Sequence, residues 1–116
     1  MILYLTLKKK WFNKIASGEK KEEYRELKEY WVKRLVEKIE QYHSENCLNG
    51  TGFNTVFKQY SAIAFKNGYS KNAPTLLVEC KGIRLGFAKP QWSDDFKDEC
   101  FVISLGRIIS TNNIIQ

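Results

Sequence analysis

The sequence predicts an α+β fold: a small mixed or antiparallel β-barrel with two main helices packed at its side. Three observations predict it. Two stretches with apolar residues at helical spacing lie before Ser44. The rest is strand-like, with apolar and polar residues in alternation. Glycines fall inside those later strands at Gly82 and Gly106, where a small barrel needs its strands to bend. At 116 residues the chain suits one domain, expected over 1–116, with a core large enough to need neither disulfide nor metal.

Ile2 to Leu7 alternates Leu3, Leu5 and Leu7 against Tyr4 and Thr6, which predicts a first strand. Lys8 to Ser17 places Trp11, Phe12, Ile15 and Ala16 on one helical stripe, and Gly18 supplies a stop because its missing Cβ tolerates positive φ. Lys20 to Glu26 alternates as a short strand, although a second helix could also start there. From Leu27 a stripe of Leu27, Tyr30, Trp31, Leu35, Ile39 and Tyr42 predicts a long helix reaching His43. Ser44 to Thr55 is rich in glycine and asparagine and reads as a long loop. Val56 to Lys66 reads as a strand, with Asn67-Gly68 as its turn. Thr75 to Ala88 is the strongest strand. Its apolar parity shifts at Gly82, from Leu76, Val78 and Cys80 to Ile83, Leu85 and Phe87. That shift predicts a β-bulge, or else a hairpin turn at Lys81-Gly82. Lys89 to Glu99 is a polar loop that holds Trp92 and Phe96. Cys100 to Ile109 closes the series as a last strand, and Ser110 to Gln116 is a loose end whose Ile114 and Ile115 can still dock.

Composition narrows the function classes. The formal net charge is +6, with Lys8, Lys9, Lys10, Lys14, Lys20, Lys21 and Arg25 crowded near the amino end, so a polyanion such as nucleic acid is an expected partner. Cys47, Cys80 and Cys100 are few, odd in number and far apart, and His43 is the only histidine. A structural zinc site needs about four N/S ligands at close spacing, so no metal is expected, and the cysteines read as free thiols. No organic cofactor is implied. The amino end puts its apolar residues before its lysines, the reverse of a secretion signal, and no apolar run reaches the roughly 20 residues of a membrane span. The expected setting is the cytoplasm, with no membrane partner. Ser61, Ser70 and Ser104 lack a G-x-S-x-G context, which argues against a serine triad.

The stretch Gly18-Glu19-Lys20-Lys21-Glu22-Glu23-Tyr24-Arg25 concentrates the polar chemistry. Lys20 past the glycine turn can act as base or nucleophile if desolvated. Glu23 can orient it, and Arg25 offers a planar fork for phosphate or carboxylate. The competing reading is a solvated turn with ordinary surface ion pairs. Glu23 and Arg25 share strand parity. Lys20 has the other parity and joins them only if the turn rotates it. Tyr69 and Trp92 sit in polar loops, where a base can stack on them or they can cover a barrel end. Trp11, Phe12, Tyr30, Trp31 and Phe65 read as core.

At this stretch the chain resembles the ASCH family, small domains of the PUA-like superfamily. The family signature G-x-K-x-x-E-x-R, which follows the first helix, falls without a gap on Gly18, Lys20, Glu23 and Arg25. Further likeness rests on Tyr60 to Phe65 leading into Asn67-Gly68-Tyr69, on Pro74 before Val78-Glu79, on Trp92, and on Phe101-Val102-Ile103 ending in Leu105-Gly106, so it covers nearly the whole chain. The resemblance implies a PUA-like barrel with a cleft near the signature. PUA-like relatives bind RNA. ASCH members are proposed to act on RNA or nucleotides, and a few are ribonucleases or hydrolyse acetylated cytidine. In the latter the signature lysine is taken as catalytic, and a threonine stands where this chain has Glu23.

The leading expectation is a domain that binds RNA or a modified nucleotide through Lys20, Arg25, Lys8, Tyr69 and Trp92, acting in RNA metabolism or translation-related regulation. The alternative is an RNA-directed enzyme, a ribonuclease or acetylated-cytidine amidohydrolase, with Lys20 and Glu23 as candidate catalytic residues. A third reading is a protein-interaction barrel that ignores nucleic acid.

Overall fold

The structure, a computed structural model, describes residues 1–43, 51–94 and 97–112. Along these residues run β1 (Ile2–Leu7), α1 (Lys9–Ala16), β2 (Glu22–Arg25), α2 (Glu29–Leu35), β3 (Val36–His43), β4 (Thr51–Phe57), β5 (Ala62–Asn67), β6 (Thr75–Gly86) and β7 (Cys100–Asn112). A turn of 3-10 helix, Pro90–Trp92, lies between β6 and β7. The fold is α+β.

Five strands form a curled mixed sheet in the order β1-β5-β6-β7-β2, and β3 pairs with β4 as a separate ribbon. β1 runs parallel to β5, with Leu3 opposite Ile63 and Leu5 opposite Phe65. A parallel pair needs a crossover, and the segment between these two strands supplies it with both helices. The other pairs in the sheet are antiparallel. Leu3, Leu5 and Leu7 are buried in β1, as their alternation requires. They pack with Phe12 and Ile15 of α1, Leu35 of α2, and Ile63, Phe65, Leu76, Val78, Phe101 and Ile103 of the central strands. β1 and β2 are the two edge strands, and the curl brings them together: Arg25 Nη2 of β2 donates to the Thr6 carbonyl of β1 at 3.3 Å. A side chain, rather than a backbone ladder, bridges this seam.

Gly82 adopts φ 141° within one continuous strand, and the β6–β7 register shifts around it. The glycine is therefore a bulge and not a hairpin turn. Beyond it Ile83 packs on the core, but Leu85 and Phe87 are exposed.

The long helix expected from Leu27 to His43 is not formed. α2 ends at Leu35, and Val36 is already extended at φ -104°, ψ 125°. The remainder becomes β3, which pairs with β4 from Val36 opposite Phe57 to His43 opposite Thr51. Residues 51–57 carry Thr, Phe, Val and a second Thr and Phe, all strand formers, and cross-strand pairing overrides the helical spacing. The expected stripe fails in burial too: Leu27, Tyr30 and Ile39 are exposed, while Trp31 and Leu35 reach the core. The long loop expected up to Thr55 is shortened by β4, and its part from Ser44 to Gly50, with Cys47, lies outside the described residues. β5 starts only at Ala62, and β7 runs on to Asn112 instead of stopping at Ile109. Phe96, Ile114 and Ile115 also lie outside the described residues. Among the described residues, no helix is long and apolar enough to cross a membrane.

Candidate functional site

The site begins at the end of α1. Ser17 N–H donates to the Asn13 carbonyl, and Gly18 N–H to that of Ile15, each at 3.0 Å. Gly18 then turns the chain through φ 82°, a conformation that costs an L-residue about 1–2 kcal/mol. Lys20 N–H comes back to the Lys14 carbonyl at 3.0 Å, which folds the segment under the helix end. The turn sorts two neighbouring side chains. Glu19 points outward to pair with Lys14 at 2.8 Å, and Lys20 points inward, 2% exposed. This rotation puts Lys20 on the side of Glu23 and Arg25 despite its parity.

Lys20 Nζ donates to Glu23 Oε1 at 2.8 Å, and Arg25 Nη1 lies 3.0 Å from Glu23 Oε2. Lys20 and Glu23 are buried, and the Arg25 side chain is 17% exposed. One carboxylate thus faces two cations, leaving a local charge of +1. Aromatic faces answer that excess. The Lys20 ammonium lies 4.8 Å from the Tyr24 ring centre and 5.2 Å from that of Trp11, and the Arg25 guanidinium stacks 5.0 Å from Trp31. Among the described residues, the buried Arg25 Nε has no hydrogen-bond partner.

Lys20, Glu23, Tyr24 and Arg25 wall a hollow of about 240 Å³ at the seam between β1 and β2, lined also by Thr6, Lys8, Trp11, Trp92 and Asp94. Trp92 is half-buried and packs on a second apolar cluster of Tyr24, Cys100 and Val102. Tyr24 also donates from its hydroxyl to Glu22 Oε1 at 2.8 Å, and burial pushes its pKa far above the ordinary phenol value. At the rim, Lys10 Nζ meets Asp94 Oδ1 at 3.0 Å and lies 4.4 Å over the Trp11 ring.

Of the residues singled out in the sequence, Lys8, Lys20, Glu23, Arg25 and Trp92 converge on this hollow. Tyr69 does not. It is 91% exposed beside Gly68 in the β5–β6 connection and is not part of the lining. Trp11, Tyr24 and Asp94 belong to the site without having been picked out for it. Trp11 shares a helical stripe with Phe12, and that spacing alone predicts a core residue. Only Phe12 and Ile15 of that stripe are buried, so the adjacent ring is free to wall a pocket.

Cys80 is half-buried and Cys100 buried. Burial raises both thiols above their ordinary range, which suits inert packing rather than nucleophilic chemistry. Among the described residues, no three His, Cys, Asp or Glu side chains cluster as a metal site. In comparisons with protein-family models, curated proteins and solved structures, the chain matches none.

Proposed function

We propose that the protein binds RNA or a modified nucleotide by taking one unstacked base into the hollow between β1 and β2. The observation that carries this reading is the buried Lys20–Glu23–Arg25 cluster set in the wall of a pocket beside Trp92. Buried ion clusters are a poor means of stabilising a fold, because desolvation offsets most of their attraction. One that lines a cavity is better explained by a ligand. The volume of about 240 Å³ falls just below the roughly 300–1,000 Å³ of drug-sized sites, which suits a single base or nucleoside. Trp92 supplies a stacking ring. Lys20 and Arg25 keep donors beyond those spent on Glu23 and Thr6, and these can read acceptors on a base edge. Lys8 at the mouth suits a phosphate. The curled sheet, with two helices and a cleft at Gly18–Arg25, fits the PUA-like barrel that the ASCH resemblance implies, and the same resemblance favours RNA.

A second reading, an RNA-directed hydrolase, draws on one observation: the Lys20 ammonium stands in the pocket wall within hydrogen-bond reach of a carboxylate. In that reading Lys20 passes a proton to Glu23, which also orients it, and then acts as base or nucleophile.

Purified protein incubated with mixed RNAs and modified nucleosides, read by mass spectrometry for both retention and consumption, tests the two together. Lys20→Met should weaken retention in the binding reading. In the enzymatic one it should abolish turnover while retention persists. A thermal melt of the variant confirms that it is folded. If nothing is retained or consumed at low salt, both readings fall.

A further inference from the structure

The carboxylates at the hollow are held in different ways. Glu23 is buried between two cations, those of Lys20 and Arg25. Asp94 stands at the rim, two residues past Trp92, with 42% of its side chain exposed. It pairs with Lys10, 84 positions away in the chain. The hydrogen bond from Lys10 holds the Asp94 carboxyl below the usual carboxylate range, aided by the charges of Lys10 and Lys8 and by a hydrogen bond from the Trp11 side chain. Lys10 is bonded to this exposed anion of the protein itself, and Lys8 and Trp11 line the same hollow beside it, so three N–H-bearing side chains share this rim. The same donors suit a phosphate oxygen, which accepts charge-assisted hydrogen bonds as a carboxylate does. They also stay in place without Asp94, since Lys10 rests over the Trp11 ring at 4.4 Å and Lys8 directly follows β1.

We propose that Asp94 occupies a phosphate subsite at the rim of the base pocket, and that the favoured ligand is a nucleotide whose phosphate displaces this carboxylate. The proposal rests on the base-pocket reading for its nucleotide but not for its phosphate. An exposed ion pair of this kind is weak, because water screens both partners, so a phosphate bearing more charge than a carboxylate can take its place. Asp94 then acts as a selectivity filter. It disfavours weakly held anions and yields to one tethered to a base already seated beside Trp92.

The test is Asp94→Asn, which keeps the shape and removes the charge. Nucleosides, their 5′-monophosphates and inorganic phosphate are titrated at low salt into this variant and the parent protein, following the Trp11 indole N–H by 15N NMR. Monophosphates and inorganic phosphate should bind the variant about five- to tenfold more tightly, with nucleoside affinity unchanged. Adding Lys10→Ala to the variant should remove that gain. Phosphate affinity within twofold of the parent overturns the proposal, as does an equal gain for nucleosides, which would make Asp94 a steric lid. If no nucleoside binds either protein while the variant still gains phosphate, the base pocket fails and the subsite stands.

Discussion

Glu22 and Glu23 are neighbours on β2, and each meets a guanidinium, yet their surroundings differ. Glu22 accepts from Arg84 Nη2 at 2.9 Å and from the Tyr24 hydroxyl at 2.8 Å, and Arg84 also donates to Ser104 Oγ at 3.0 Å. That chain of contacts runs laterally across β2, β7 and β6, with the Arg84 side chain 53% exposed. Glu23 faces Lys20 at 1% exposure and Arg25 at 17%, in the wall of a hollow. The first arrangement ties an edge strand to its sheet and leaves its guanidinium half in water, although the Glu22 side chain is only 13% exposed. The second takes both the ammonium and the carboxylate out of water, and only Arg25 of the three also ties β2 to β1, through the Thr6 carbonyl. Burial, rather than the presence of an ion pair, therefore separates a structural contact from a candidate site.

The largest effect should come from breaking the buried side. Glu23→Ala leaves Lys20 and Arg25 without their carboxylate and should lower unfolding stability by about 3–5 kcal/mol, read by urea denaturation. A loss under about 1 kcal/mol would mean that water reaches the cluster and that the two faces of β2 are alike. Next comes the ring beside the cluster. Trp92→Ala should weaken base binding by about 1–3 kcal/mol, measured by titration with short RNA. Part of any stability loss will reflect its packing on Tyr24, Cys100 and Val102, so stability and affinity must be measured separately. Gly18→Ala acts through the turn alone. With φ at 82° and no heavy atom within 4 Å of an added Cβ, its cost is backbone strain of about 1–2 kcal/mol. It should disturb the placement of Lys20, and with it nucleotide affinity, while leaving the Glu22–Arg84 contact intact.

Much of the pocket side was legible in the sequence, because local rules govern it. Alternation at Leu3, Leu5 and Leu7 marks a half-buried strand, glycine marks the turn at Gly18, and a parity shift marks the bulge at Gly82. The β3–β4 ribbon was not legible. Leu35, Ile39 and Tyr42 satisfy a helical period, and nothing local to residues 36–43 announces a partner strand at 51–57. Pairing energy between remote segments decided the outcome, and Ile39 at 62% exposure shows that the stripe beyond Leu35 had no face to bury. The site residues missed fail for a related reason. Asp94 meets Lys10 and Trp11 only through tertiary packing, and a polar loop around an aromatic residue is too weak a signal to separate Trp92, which lines the hollow, from Tyr69, which does not.

The smallest expected effect lies on the other face of β2 and depends on pH. Burial works to raise the Glu22 carboxyl, but hydrogen bonds from Arg84 and Tyr24 and the charges of Arg84 and Lys89 outweigh it, holding the group below its ordinary value of 4.5. A depressed folded-state value means that the native chain favours the ionised form more than the unfolded chain does. The resulting stabilisation is fully present above 4.5 and is lost as pH falls through the lower folded value. With Arg84 half exposed, its size should be about 0.5–1 kcal/mol. Glu22→Gln should therefore be less stable than the parent by that amount near neutrality, and the gap should close in acid. Urea midpoints of the two proteins across that range provide the measurement. A gap that does not change with pH would mean that the side chain matters for its shape and not its charge. A gap as large as that of Glu23→Ala would erase the distinction between the two faces.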